Sequence, residues 1–198
     1  MNKSISRTIL ICFTYLGIIS SSIAGEHLIQ PKLGFINWTD NGPHRVRSNT
    51  FTFDNDISTA SGFKYAYRLD NGFAFGGELY GYEKDYTHSN GNRGSADIGH
   101  FYATAEYYFN NDGSIKPFIG GGLGWAGIDF SGAIKHDTSG GSSVEFNAGV
   151  EFSINKRFSI TVEGKYFTLD IDDDYYNNEE ADIKSDGYGT FVGFTIKI

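Results

Sequence analysis

The chain has 198 residues with a net charge of −8, and 39% of its residues are hydrophobic. This length fits one domain, and an acidic chain is a poor binder of nucleic acid. No run of 18 or more apolar residues is present, which excludes a membrane-spanning helix. A membrane barrel stays possible, because only half of each barrel strand faces lipid.

Residues 1–24 are typical of a secretory signal peptide. Lys3 and Arg7 precede an apolar run over 9–19, and small residues then lead to a predicted cleavage site before Gly25. Cleavage would change the net charge from −8 to −10, since 14 basic residues would face 24 acidic ones. The only cysteine lies within this segment, so the mature domain is expected to hold no disulfide.

The remaining residues, 25–198, form the predicted barrel domain and repeatedly alternate apolar with polar residues. The alternation is clearest over 144–154, where every second residue is apolar. A period of two predicts a strand with one apolar face, and segments of about ten residues suit a tilted strand that crosses a bilayer. In chain order the predicted strands are 28–38, 58–69, 73–84, 97–109, 116–128, 143–154, 158–169 and 187–198.

The connections between these strands alternate in length. Short turns rich in Asn, Asp and Gly lie at 70–72, 110–114 and 155–157. Longer polar segments lie at 39–57, 85–96, 129–142 and 170–186. The alternation predicts an all-β fold, an eight-stranded antiparallel up-and-down transmembrane β-barrel in an outer membrane. Short turns would face the periplasm and long loops the outside.

Parity along each strand predicts which side chains face lipid. Large apolar residues share one face, among them Phe63, Phe75, Phe101, Leu123, Phe146 and Val162. Aromatic residues recur near the strand ends, as in interfacial girdles. The predicted girdle has Phe73, Phe109 and Phe158 at the short turns, with Trp38, Trp125, Tyr166 and Tyr188 towards the loops.

The opposite parity predicts a charged barrel interior. It holds five basic and five acidic residues: Lys32, Lys64, Arg68, Lys165 and Lys197, with Glu78, Glu106, Glu145, Glu151 and Glu163. Unpaired charges are costly in a packed interior, so we expect these side chains to pair with one another. His100 has the same parity and is expected to form hydrogen bonds there.

Two segments resemble bacterial outer-membrane barrels of the small opacity-protein and OmpA/OmpX type, the porin family. Residues 187–198 are similar to the C-terminal insertion signature, with Ile198 in place of the usual Phe, and 117–125 resembles the family's fifth-strand motif. The resemblance implies an integral, monomeric outer-membrane barrel without fixing an activity. Its implied partners are outer-membrane lipids, lipopolysaccharide and, through the last strand, the barrel-assembly machinery.

An acidic loop is a candidate for weak divalent-cation binding. Its carboxylates are Asp170, Asp172, Asp174, Glu179 and Glu180. Tyr175 replaces the glycine of a calcium-binding EF-hand loop and Ala181 its bidentate Glu, so an EF-hand is excluded. A loose cation contact near lipopolysaccharide and a solvated loop both stay open.

Catalysis is not expected, nor is a cofactor or a resident metal. His44, His88 and His136 lie in separate long segments, with Ser89 and Ser139 near two of them, but no spacing matches a nucleophile with its oriented base. The predicted function is a structural, surface-exposed outer-membrane protein whose loops contact the environment or a host. The alternatives are a lipid-modifying enzyme (acyl transfer or deacylation), a narrow pore, and a soluble lipocalin-like binder with its faces inverted.

Overall fold

The computed structural model describes residues 25–39, 43–46, 49–110, 112–132, 136–173 and 181–198, so the predicted signal peptide lies outside it. Among these residues, no helix is long and apolar enough to cross a membrane. The described ranges contain ten strands: β1 (Gly25–Trp38), β2 (His44–Val46), β3 (Asn49–Phe53), β4 (Ser58–Leu69), β5 (Phe73–His88), β6 (Arg93–Tyr108), β7 (Ile115–Ser131), β8 (His136–Ser153), β9 (Phe158–Asp173) and β10 (Ala181–Lys197).

Eight long strands of the described chain form a closed antiparallel barrel. They are β1 and β4 to β10, each paired with the next in chain order, and β10 pairs back with β1 to close the wall. Closure leaves each of these strands with a neighbour on both sides, which satisfies the backbone groups within lipid. The predicted fold class is therefore confirmed.

The segment between β1 and β4 differs from the polar connection predicted over 39–57. β2 and β3 pair with each other, and they also pair with β10 and β5 respectively. This small hairpin therefore extends the barrel wall beyond the loop-side ends of β1 and β4. Phe51 and Phe53 are buried on its inner face, which a polar loop would not require.

Several long strands also extend further towards the loops than predicted. β8 begins at His136 instead of 143, β10 begins at Ala181 instead of 187, and β5 continues to His88. The hydrogen-bonded ladder continues beyond the apolar belt, where outward side chains such as Glu83 and Asp97 are polar. Alternation of hydrophobicity is weaker there, so the sequence pattern ends before the strand does.

Side chains of the predicted lipid face lie on the outer surface. Leu123 is 69% exposed, and Phe101, Phe146 and Val162 are also exposed. Because the charged side chains lie inside, the soluble-binder alternative with inverted faces is wrong. Trp38 was wrongly placed in the outer girdle, since it is only 2% exposed and has the inward parity of β1.

Candidate functional site

The barrel interior has two layers of different chemistry. On β5, Glu78 precedes Tyr80, and on β9, Lys165 precedes Phe167, so in both strands the charges lie nearer the short turns. We call the ten inward charged residues predicted from the sequence the charged layer, and all ten are buried. The aromatic layer comprises Tyr80, Tyr82, His100, Tyr102, Phe167 and Phe191, which are also buried.

Lys165 is the centre of the charged layer. Its Nζ lies 2.8 Å from a Glu78 oxygen, 3.1 Å from both Glu145 oxygens and 3.7 Å from Glu163. Lys32 approaches the same group from β1, with its Nζ 2.6 Å from Glu163 and paired with Glu78. Side chains from β1, β5, β8 and β9 thus meet across the interior.

A second group in the charged layer is built around the ion pair between Lys64 of β4 and Glu106 of β6. The Glu106 carboxylate also accepts hydrogen bonds from Asn147 Nδ2 at 2.6 Å and from the Tyr108 hydroxyl at 3.2 Å. Several donors therefore replace the water that a free carboxylate would bind.

The charged layer ends at the short turns in a third group around Glu151. Arg68 Nη1 lies 2.8 Å from one Glu151 oxygen, and Lys197 Nζ lies 2.5 Å from the other. Ser159 donates a hydrogen bond of 3.0 Å to Glu151, while Arg68 also pairs with Glu26. Taken together, the charged layer crosses the interior between strands that are not neighbours in the wall.

Some charged residues of the interior were not predicted from the sequence. Lys116 has inward parity at the start of β7 and is buried, so parity could have identified it. Glu26 lies before the predicted start of its strand, and thus no parity had been assigned to it. Lys84 is buried near the loops, where its Nζ donates to Asp56 Oδ1 at 2.6 Å. That pairing depends on how the segment before β4 folds.

His100 lies at the centre of the aromatic layer. Its Nδ1 lies 3.0 Å from the Tyr102 hydroxyl, its Nε2 lies 3.2 Å from the Tyr82 hydroxyl, and Tyr80 stacks on its ring at 4.8 Å. The Tyr102 hydroxyl also lies 2.6 Å from Ser143 Oγ. Both ring nitrogens have neighbours inside the barrel, so the structure places His100 where parity had put it.

The two layers touch through cation–π contacts. Lys165 Nζ lies 5.8 Å from the centre of the Tyr80 ring, and Lys32 Nζ lies 5.2 Å from that of Phe191. Such contacts favour a cation at an aromatic face. These contacts join the charged layer to the aromatic layer.

The aromatic filling continues to the loop end beneath the β2–β3 hairpin. The Phe51 ring lies 5.2 Å from Phe53, 5.4 Å from Tyr86 and 5.2 Å from Phe130, all with edge-on geometry. Offset and edge-on ring pairs are favourable beyond their buried area. The hairpin thus supplies apolar side chains that complete the core at this end.

The histidines considered for catalysis have been brought closer together than expected. His44 and His88 each lie opposite Phe51 in the register, on strands either side of β3. The ring of His44 packs on Phe53 at 5.3 Å, and His88 Nδ1 accepts a hydrogen bond from the backbone of Asn90 at 3.1 Å. The side chains of His136 and Ser139 are not among those that the structure describes. Ser89 Oγ, which follows His88, lies 3.5 Å from its Nδ1.

Only part of the predicted acidic loop is described. Asp170 is exposed on β9, 3.9 Å from Lys184 Nζ, whereas the Asp172 side chain and residues 174, 179 and 180 lie outside the described part. Within the described part, no three His, Cys, Asp or Glu side chains are grouped to hold a metal. The cation site thus stays a prediction.

Comparison with known proteins gives one family match. The model of the family described as "Outer membrane protein beta-barrel domain" matches residues 24–195. No curated protein matches the chain in sequence.

Solved structures share the fold at low sequence identity. The OprG structure from Pseudomonas aeruginosa has a TM-score of 0.63 at 14% identity, covering 89% of this chain and 97% of that one. Neisserial surface protein A has a TM-score of 0.59 at 10% identity, covering 87% and 96%. The structure of Ail of Yersinia pestis, in complex with the heparin analogue sucrose octasulfate, has a TM-score of 0.58 at 15% identity. The match covers 89% of this chain and 100% of Ail.

Proposed function

Because the chain belongs to the family of outer membrane protein β-barrel domains, we propose that it is a non-catalytic structural protein of the Gram-negative outer membrane. Its loop end would contact the environment or a host. The outer-membrane setting follows from the family, whereas the structural role and the absence of catalysis are our proposal.

The filled interior is the observation that carries this proposal. Ion pairs occupy the charged layer, rings occupy the aromatic layer, and the β2–β3 hairpin adds Phe51 and Phe53 at the loop end. Side chains that fill the lumen of a small barrel favour a structural role over passage of solutes. Such a barrel holds a stable wall in the membrane and presents its loop end outside.

Export and partners are further parts of the proposal. We infer cleavage before Gly25, which is also the first residue of β1 and follows directly on the start of the family match at residue 24. The partners would be outer-membrane lipids and lipopolysaccharide, with the assembly machinery binding the last strand, and the barrel would be monomeric. Two structural relatives are named as a surface protein and an attachment invasion locus protein, which supports contact at the surface.

Fractionation tests the membrane part of the proposal. We expect the full chain, expressed in a Gram-negative host, to stay in the outer-membrane pellet after carbonate extraction. Its unheated and heated forms should migrate differently on a gel, because the closed barrel resists detergent at low temperature. Recovery in the soluble fraction would overturn the proposal.

Analysis of lipid A tests the non-catalytic part. Deleting the gene should leave the mass spectrum of lipid A unchanged, and a change reversed by complementation would favour the lipid-modifying enzyme.

A conductance measurement tests the structural role against the narrow pore. The purified barrel should give no discrete single-channel conductance in planar bilayers, because both interior layers are filled. Steady unitary currents would instead favour the narrow pore.

A further inference from the structure

A hydrogen-bonded polar patch lies on the outer wall at β1, β9 and β10, nearer the loops than the lipid-facing residues of these strands. We call it the tyrosine patch and define it as Asn37, Thr39, Tyr166, Lys184, Asp186 and Tyr188. In the register, Tyr188 lies directly opposite Asn37 on one side and Tyr166 on the other. The patch therefore spans adjacent strands of the wall on one side of the barrel.

Hydrogen bonds fix the polar groups of the tyrosine patch. Asn37 Nδ2 donates to the Tyr188 hydroxyl at 2.8 Å, and the Tyr166 hydroxyl donates to Asp186 Oδ2 at 3.0 Å. Thr39 donates to both the carbonyl, at 3.1 Å, and the carboxylate of Asp186. These bonds hold the two tyrosine side chains against the wall.

The same groups remain accessible from outside. Tyr166 is 44% exposed and Tyr188 is 51% exposed. The Lys184 side chain is 64% exposed and its Nζ lies 3.9 Å from Asp170, at the limit of an ion pair. Exposed pairs of this kind contribute little, so the ammonium can turn to another anion at small cost.

The lipid-facing belt continues directly into the tyrosine patch. On β10, Phe194 and Val192 are exposed on the same face as Tyr188, and on β9, Val162 shares the face of Tyr166. Acyl chains that cover these residues must carry their headgroup at the height of the patch. At the loop end of an outer-membrane barrel, that headgroup belongs to lipopolysaccharide.

We propose that the tyrosine patch binds the phosphorylated saccharide headgroup of lipopolysaccharide, an inference that rests on the proposed outer-membrane function. The tyrosine rings offer apolar faces to the sugar rings. Asp186 and Asn37 offer hydrogen-bonding groups for sugar hydroxyls, and Lys184 offers a cation for phosphate. This pattern suits a phosphorylated sugar better than a simple anionic phospholipid, which has no sugar to stack.

The wall formed by β5, β6 and β7 carries a row of carboxylates instead. Beyond their lipid-facing residues, Glu83, Asp97 and Asp129 lie directly opposite one another on adjacent strands, all exposed. A row of carboxylates repels phosphate. Headgroup binding is therefore expected on the β1, β9 and β10 side alone.

The test uses the full barrel in phosphatidylcholine nanodiscs, titrated with diphosphoryl lipid A and, separately, with phosphatidylglycerol. We expect wild type to bind lipid A about tenfold more tightly than phosphatidylglycerol, and the double variant Tyr166→Ala/Tyr188→Ala to lose about tenfold in lipid A affinity. Lys184→Ala should lower the lipid A affinity about threefold and make that affinity less dependent on salt concentration. Trp125→Leu, which removes an exposed ring outside the patch, is the matched control and should stay within about twofold.

Folding of each variant is verified by its heat-dependent gel shift. NMR on the wild-type barrel provides a measurement that needs no variant, since sugar protons of lipid A should show contacts to the two tyrosine rings. Equal binding of phosphatidylglycerol, unchanged affinity of the folded double variant, or contacts to the β5–β7 wall instead would overturn the proposal. Release of the protein into the soluble fraction by carbonate would overturn the proposed outer-membrane function itself. That outcome is distinct from a loss of headgroup binding by a barrel that stays in the membrane.

Discussion

The charged and aromatic layers fill the same barrel in physically different ways. In the charged layer, Lys165 contacts Glu78, Glu145 and Glu163, so each side chain depends on specific partners. In the aromatic layer, Tyr80 and Phe167 mainly supply buried area and ring contacts, which many side chains of similar volume could replace. A buried charge without its partner is far more costly than a ring with an imperfect fit.

This difference predicts unequal sensitivity to substitution. Removing one charged partner leaves the others buried and uncompensated, whereas trimming a ring removes only its own contacts. The charged layer should therefore determine whether the barrel folds, and the aromatic layer should adjust its stability in smaller steps. The free energy of unfolding in lipid vesicles can be followed by the fluorescence of the two tryptophans, Trp38 and Trp125.

Lys165→Met should have the largest effect. It leaves Glu78 and Glu163 paired with Lys32, and it leaves Glu145 without a close cation among the described ion pairs. We expect a loss of about 3–5 kcal/mol in the free energy of unfolding, measured by urea titration in vesicles. Lys184→Ala, which breaks an exposed pair, is the control and should cost less than about 1 kcal/mol. Equal effects of the two would contradict the special role of the charged layer.

Lys64→Met should cost about 3 kcal/mol, because Glu106 stays buried without its cation. Adding Glu106→Gln removes the unpaired charge and keeps an oxygen for Asn147 and Tyr108. The double variant should therefore regain at least about 1 kcal/mol, which a double-mutant cycle by urea titration measures. Simple additivity of the two substitutions would show that the pair is not coupled.

Tyr102→Phe tests the polar part of the aromatic layer. It removes the hydroxyl that lies near Ser143 and His100 while keeping the ring in place. We expect a cost of about 1–3 kcal/mol, because buried polar groups lose a partner. Tyr107→Phe, on the outer wall near a short turn, is the matched control and should change stability by less than about 0.5 kcal/mol. Similar values for both would mean that the interior hydrogen bonds contribute nothing.

Phe167→Leu should have the smallest effect of the series. It shortens a buried ring that contacts His100 and Tyr80 without leaving a charge unpaired. The expected cost is below about 1.5 kcal/mol by the same urea titration. A loss as large as that of Lys165→Met would remove the proposed distinction between the layers.

Much of the barrel wall was predictable because strand parity is a local property. Alternation over 144–154 predicted a strand with Glu145 and Glu151 on the inner face, and both are buried there. The same rule applied to β1 puts Trp38 inside, but its aromatic character had suggested the girdle. For Trp38, strand parity was therefore a better predictor of its position than the preference of tryptophan for the membrane interface.

The loop end was less predictable, because its structure depends on distant contacts. The sequence over 39–57 shows no long alternation. The β2–β3 hairpin is stabilised by pairing with β5 and β10, by packing of Phe51 on Tyr86 and Phe130, and by packing of Phe53 on Trp38. Strands held in this way by their neighbours need little alternation of their own. For the same reason the pairing of Lys84 with Asp56 could not be predicted, although Lys84 has inward parity on the predicted strand 73–84.

Alternation and turn composition were enough to predict the number of long strands and their direction. They also predicted the inward parity of the ten charges, since successive side chains of a strand point to opposite faces. Which charges meet depends on the folded barrel. Lys32 and Glu163 are 131 residues apart, and Arg68 and Glu151 are 83 apart. Both pairs join strands that are not neighbours in the wall, so barrel closure and the stagger of its strands set their contact across the interior.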